Sequence, residues 1–360
     1  MNQATSPISA RPEAAATPEL APARRALNIC VRPGWNSQNP FTIMFAEALA
    51  AQGNTVHDSI GGFRFYPFGA DVIVLHWPDE YFFVRSAKAT ARAFLFLLFK
   101  WLLGARLVWV VHNIEPHDKE KPGFTTGRRA LFAAIDGLVF LSETSRALLY
   151  QRWPELASKP STVVCHGHYK GRAIAPITPP RAPADPVRLA YIGQLRAYKS
   201  ADTLIEIVRA MPEQAVTLKV GGNCPDGHFA QRLRDLAGQA ANVHLSIGLL
   251  SDEALERQVD DSDAVILPYR DILNSGSAIF ALSRARPVLA PRLGSLIELQ
   301  QQVGEDWLHL YEGEFDAGAV ARFIAWLKRP GRAGEPDLSA HEWEPIGRQL
   351  DGFFRELKAR

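Results

Sequence analysis

AVILPYRDILNSGSAIFALSRARPVLAPRLGS, residues 264–295, runs from an apolar stretch through Asn274-Ser275-Gly276-Ser277 into a helix-like segment, then into a second apolar stretch. Short apolar runs on either side of a helix are the signature of a βαβ unit with strands buried on both faces. The small polar turn has a plain reading as a helix N-cap, for which Asn and Ser are favoured. Its sharper reading is an anion site, because a helix start offers N–H groups and the positive end of the dipole.

Working outward, the same pattern recurs. ALNICVRPG (26–34), DVIVLHWP (71–78), RLVWVVHN (106–113), DGLVFLS (136–142) and STVVCHGH (161–168) read as strands separated by helices. RLAYIGQL (188–195), AVTLKVGG (215–222), NVHLSIG (242–248), DAVILPY (263–269), RPVLAP (286–291) and WLHLYEG (307–313) form a second series. Between them, GRAIAPITPPRAPADPV (171–187) is proline-rich and reads as a linker. The fold class expected is α/β: two Rossmann-like domains facing across a cleft, at 25–170 and 188–340. A helix at 341–360 would pack back on the first domain, and residues 1–24, rich in Ala and Pro, read as a disordered tail.

The chain has 360 residues, 47% apolar and 22% charged, which suits a globular protein with a sizeable core. Its net charge of +2 balances 40 basic against 38 acidic groups, so no nucleic-acid partner is expected. Cys30, Cys165 and Cys224 form no CxxC pair and read as thiols in a reducing compartment. No metal-ligand motif such as HExxH appears, so no metal is expected. The most apolar segment, ARAFLFLLFKWLLGARLVWVV (91–111), is interrupted by Lys100, Gly104 and Arg106. It splits into a helix at about 88–103 and a strand, and does not read as a span. The helix is expected to pack under the sheet. Phe94, Phe96, Phe99 and Trp101 beside Lys88, Arg92 and Lys100 would also suit a lipid interface.

In open α/β sheets ligands bind beyond the carboxyl ends of the strands, which selects the candidates. In the first half these are His76, Trp77, Asp79 and Glu80; His112, Asn113, Glu115, His117 and Asp118; and His166, His168 and Tyr169. In the second half, Gly193, Arg196 and Lys199 precede a helix, and a guanidinium and an ammonium there suit a diphosphate. With Asn274, Ser275, Gly276 and Ser277 they make a two-sided cradle. Neither side is a Walker loop, and the first half lacks GxGxxG, which disfavours a dinucleotide oxidoreductase.

These pieces resemble the glycosyltransferase-B fold, with GQLRAYKS and NSGSAIFALSRARPVLAP matching its donor segments. More narrowly, LHWPDEY, VHNIEPH, CHGHY, NSGS, ALSRARPVLAP and LYEGEFDA resemble the bacterial β-mannosyltransferases of xanthan-type exopolysaccharide assembly. The resemblance implies an inverting, metal-independent transfer from a nucleotide diphosphate sugar, with GDP-mannose favoured. The acceptor implied is a polyprenyl-diphosphate-linked glycan at the cytoplasmic face of the inner membrane, and no cofactor is needed. Glu80 is the favoured general base, with Asp79 and His117 as the other candidates. Gly193, Arg196, Lys199, residues 274–277 and Glu312 would bind the donor. His76, Trp77, His112, Asn113, His166, His168 and Tyr169 would bind the acceptor. Arg292 stands where that family leads one to expect an aromatic, which keeps a UDP-glucuronic acid donor open beside UDP-glucose. A non-catalytic sugar-nucleotide-binding subunit and a two-domain epimerase are the rival readings.

Overall fold

The computed structural model describes residues 25–35, 37–58, 69–78, 82, 87–114, 125–180, 183–332 and 334–360. The tail at 1–24, Asp79, Glu80, Glu115, His117 and Asp118 lie outside the described residues.

Two six-stranded parallel sheets carry the chain. The first holds β1 (Asn28–Arg32), β2 (Thr55–His57), β3 (Val72–Leu75), β4 (Arg106–Val111), β5 (Gly137–Phe140) and β6 (Ser161–Val163), in the order β2-β1-β3-β4-β5-β6. The second holds β7 (Val187–Ile192), β8 (Val216–Gly222), β9 (Val243–Ile247), β10 (Ala264–Ile266), β11 (Val288–Pro291) and β12 (Leu308–Tyr311), in the order β12-β11-β10-β7-β8-β9. Every pairing among the described strands is parallel. Their central strands are apolar on both faces because helices cover both. The second order is the doubly wound one, and it reverses between β7 and β10. That junction sets the place of the donor cradle.

The chain crosses back at its end. Helix Trp343–Ala359 sends Leu350, Phe353, Phe354 and Leu357 into the same cluster as Ile29, Val31 and Val108 of the first sheet and Phe45 of helix Pro40–Ala50. Each fully buried side chain of this kind contributes about 1.5–3 kcal/mol. Gly347 allows this approach: a Cβ there would stand 2.6 Å from the Ala48 carbonyl of helix Pro40–Ala50. Asn54 adds a buried polar clasp, accepting from Leu27 N (3.1 Å) and Arg355 Nη2 (3.1 Å) and donating to Asp351 (2.8 Å).

The proline-rich segment is tied to the second sheet's helices. Arg284 and Arg286, each 2% exposed, donate to the carbonyls of Ala175 (2.9 Å) and Thr178 (2.8 Å). Asp260 and Glu256 pair with Arg284, and Glu256 also accepts from Ile174 N at 2.9 Å. The arginines of SRARP therefore fasten the linker.

Candidate active site

At the carboxyl end of β7 the chain turns through Gly193, whose φ of +113° disfavours any residue with a side chain. A Cβ there would lie 2.7 Å from Ser277 Oγ and 4.0 Å from Lys199 Nζ. Both sides of the expected cradle thus converge on one bare patch of backbone. Lys199 ends a 3-10 turn, Ala197–Lys199, and its ammonium lies 5.2 Å from the centre of the Tyr269 ring. Burial, with a contribution from neighbouring Arg196, pulls the Lys199 pKa down to about 8. A lysine held short of solvent, with its charge disfavoured, gains most from an arriving anion.

The other side is helix Gly276–Ser283. Ser275 caps it, accepting from Ala278 N at 3.2 Å, and no acidic residue occupies its first turn. Tyr269 hydrogen-bonds the Ser275 and Ser277 hydroxyls, and burial raises its phenol to about 12. Gly276 is packed by the first domain: a Cβ would meet Tyr169 Oη at 3.2 Å and His166 Nε2 at 3.5 Å. Asn274 joins the domains, accepting from Ser145 Oγ at 3.0 Å and donating to the Val111 carbonyl at 3.5 Å. Glu298 is a second tie, accepting from Glu143 N at 2.9 Å and from both the amide and the hydroxyl of Thr144. The donor helix and the first domain's strand ends therefore share one cleft.

On the first-domain wall, His76 is fully buried and its Nδ1 lies 2.9 Å from His112 Nε2. Burial drops the His76 pKa to about 3, so the ring is neutral. Its Nε2 has no partner among the described residues. Donation from His76 Nδ1 leaves a lone pair there, whereas the other tautomer would bury an orphan N–H, the costlier arrangement. His112 then accepts through Nε2 and carries its own proton on Nδ1. Trp77 stacks on His112 with centroids 4.8 Å apart, and Asn113 follows, half-buried. Phe41 packs against His76, His112 and His166. His166 is neutral, its pKa lowered by burial to about 4.

His168, an acceptor-binding candidate, is tied to the C-terminal segment. It is 6% exposed, its Nε2 lies 3.0 Å from Glu342, and its carbonyl accepts from Trp343 Nε1 at 2.7 Å. These contacts anchor the C-terminal segment. Glu312 and Arg292 lie on the rim of an open cavity of about 760 Å³ at the ends of β10, β11 and β12. The cavity shares its Tyr269 wall with the cradle. Arg292 Nε is 3.5 Å from Glu312 Oε1, and both side chains are exposed. Among the described residues, no group of three His, Cys, Asp or Glu side chains is placed to hold a metal ion.

The chain is 31% identical over 281 residues to GDP-mannose:glycolipid 4-beta-D-mannosyltransferase of Xanthomonas campestris pv. campestris, covering 77% of each chain. It belongs to this family of glycosyltransferases. No family model matches the glycosyltransferase's sequence. Its fold is similar to that of sucrose-phosphate synthase from Thermosynechococcus elongatus, with a TM-score of 0.65 at 18% identity over 93% of this chain and all of that one. It is similar also to Anabaena HepE in complex with UDP-glucose, with a TM-score of 0.59 at 12% identity over 92% and 97% of the two chains. The architecture is that of the glycosyltransferase-B enzymes.

Two residues that shape the candidate site, Tyr269 and Glu298, are not among those the sequence singles out. Tyr269 closes the apolar run DAVILPY, and its place three residues past β10, near the switch point, is the signal available for it. Glu298 carries no sequence signal, since its partners lie about 155 residues away.

Proposed function

We propose that the protein transfers mannose, with inversion, from GDP-mannose to a polyprenyl-diphosphate-linked oligosaccharide in exopolysaccharide assembly at the cytoplasmic face of the inner membrane. The observation that carries this reading is the cradle of Gly193, Lys199 and Ser277 in a chain of the mannosyltransferase family. Lys199 and the start of helix Gly276–Ser283 supply positive charge where the diphosphate leaves, which is the stabilisation that glycosyl transfer requires. That charge takes the place of a divalent ion, so the reaction is proposed to be metal-independent. Inversion needs a base to take the acceptor proton. Glu80, Asp79 and His117 are the proposed candidates. His112, at the end of β4 beside Trp77, is proposed to line the acceptor side. The pairing of Arg292 with Glu312 favours a neutral sugar, because the carboxylate competes with an anionic one for the guanidinium.

The test is transfer of radiolabelled sugar from GDP-mannose, UDP-glucuronic acid or UDP-glucose to polyprenyl-diphosphate oligosaccharides, with and without EDTA. Product linkage would be read by NMR. A β-mannosyl product formed equally well with EDTA is expected. Turnover with a UDP-sugar alone would overturn the donor assignment, and nucleotide binding without turnover on any acceptor would favour a binding subunit.

A further inference from the structure

Helix Ala87–Leu102 has two apolar faces and its one inner charge on the wrong side for a surface helix. Phe96 is 1% exposed in the core with Leu75, Leu107 and Phe140, and Ala93 and Leu97 pack beside it. Lys100 turns the same way: its Nζ lies 2.7 Å from Asp136 and 3.0 Å from the Ala134 carbonyl. The opposite stripe, Ala91, Phe94, Leu95, Leu98, Trp101 and Leu102, follows the spacing of a single helix face. That face is open, with Phe94 66%, Trp101 74% and Leu102 59% exposed. Of eleven large exposed apolar side chains among the described residues, six lie on this helix and the adjoining Leu103, and the rest are scattered. An ordinary surface helix puts charge outward and apolar groups inward. This one turns Lys100 inward and Phe94 and Trp101 outward.

We infer that this stripe is the surface by which the protein docks on a bilayer with anionic headgroups, the helix lying in the plane of the interface. Sixteen residues make roughly 24 Å of helix, less than the roughly 30 Å hydrocarbon core. No helix among the described residues is long and apolar enough to cross a membrane. Charge fixes the choice of occupant. Arg92 is exposed at the start of the stripe. At its far end Lys358 reaches the Gly104 carbonyl (3.1 Å), with Arg25, 86% exposed, at the same Asp71 carboxylate. Asp71 and Asp136, only 12% and 20% exposed, are both engaged by cations. A second copy related by a two-fold axis would bring two such cationic rims together, whereas anionic headgroups match them. Preferring a lipid to an apolar protein partner rests on the lipid-linked acceptor proposed above.

The test is flotation of the full chain with vesicles of phosphatidylcholine alone or with phosphatidylglycerol, without donor or acceptor. It therefore succeeds or fails independently of the transfer assay. The parent is expected to float with the anionic vesicles. Phe94→Ser/Trp101→Ser should lower that partitioning at least tenfold, with nucleotide-induced thermal stabilisation unchanged to show an intact fold. Leu249→Ser, which removes a lone exposed leucine in the second domain (72% exposed), should float like the parent. A parent that stays in solution, or a double variant that floats as well as the parent, overturns the inference. So does a concentration-dependent dimer abolished by the double variant, which would assign the stripe to a second copy.

Discussion

Lys199 makes donor affinity a function of pH, and the size of the effect follows from its surroundings. In the free protein burial and Arg196 hold its pKa at about 8, against an ordinary value of 10.5. A diphosphate in the cradle opposes both effects and raises that pKa, so binding takes up a proton. Affinity is then greatest below pH 8 and falls as pH rises through it. Between pH 7 and pH 9 the protonated fraction of free Lys199 drops from roughly nine tenths to roughly one tenth, so the Kd for GDP should rise about tenfold, or about 1.4 kcal/mol. The ligand does not mimic this slope, since a terminal phosphate with a second pKa of about 6 is already ionised. Isothermal titration calorimetry with GDP at pH 7, 8 and 9 measures it. In buffers of different ionisation enthalpy it also counts the proton. Lys199→Met should bind weakly at every pH and lose the slope, and Lys199→Arg should lose the slope while keeping a charge. A parent affinity flat from pH 7 to 9, or a slope that persists in Lys199→Met, refutes the placement of Lys199 against the diphosphate.

Two further outcomes concern the first domain. His76 and His166 have folded pKa values of about 3 and about 4, both lowered by burial, so the unfolded chain binds protons that the folded chain cannot. Stability should therefore fall as pH drops below about 6.5, by about 2 kcal/mol per histidine at pH 5; thermal melts should show a shallower acid limb for His76→Gln. Asp351→Ala removes an acceptor shared by Asn54 and Arg355. It should cost about 2–3 kcal/mol of stability, read by urea unfolding, with GDP affinity unchanged because the second sheet is untouched.

The strands were legible because helices cover both faces of each sheet, so runs such as VIVL and LVWVV have no polar alternation to blur them. Gly193, Lys199 and the Ser275 cap were legible for a different reason: their signals are local, a glycine or a cap beside a strand end. Long-range contacts leave no such local signal. His168 reads like its neighbour His166, and only Glu342 and Trp343, nearly 175 residues on, show that it faces the C-terminal segment. The arginines of SRARP carry no local sign of their role, because the carbonyls of Ala175 and Thr178 that they hold lie more than a hundred residues earlier. Lys100 looked like the basic edge of an interfacial helix, but Asp136 turns it inward. The base candidates Asp79, Glu80 and His117 lie outside the described residues and rest on their sequence motifs.

The return of helix Trp343–Ala359 to the first sheet has a consequence for how the protein is made. Leu350, Phe353, Phe354 and Leu357 complete a core begun by Ile29 and Val31, more than three hundred residues earlier. On the ribosome the second sheet has its strands and helices in hand while the first still lacks a wall. The nascent first domain therefore waits with its apolar face uncovered until helix Trp343–Ala359 has been made. A premature stop between residues 342 and 350 would spare the donor cradle and the second core with its Leu338, and would strip the acceptor side of Leu350, Phe353, Phe354 and Leu357. Such fragments would bind nucleotide yet be cleared as misfolded.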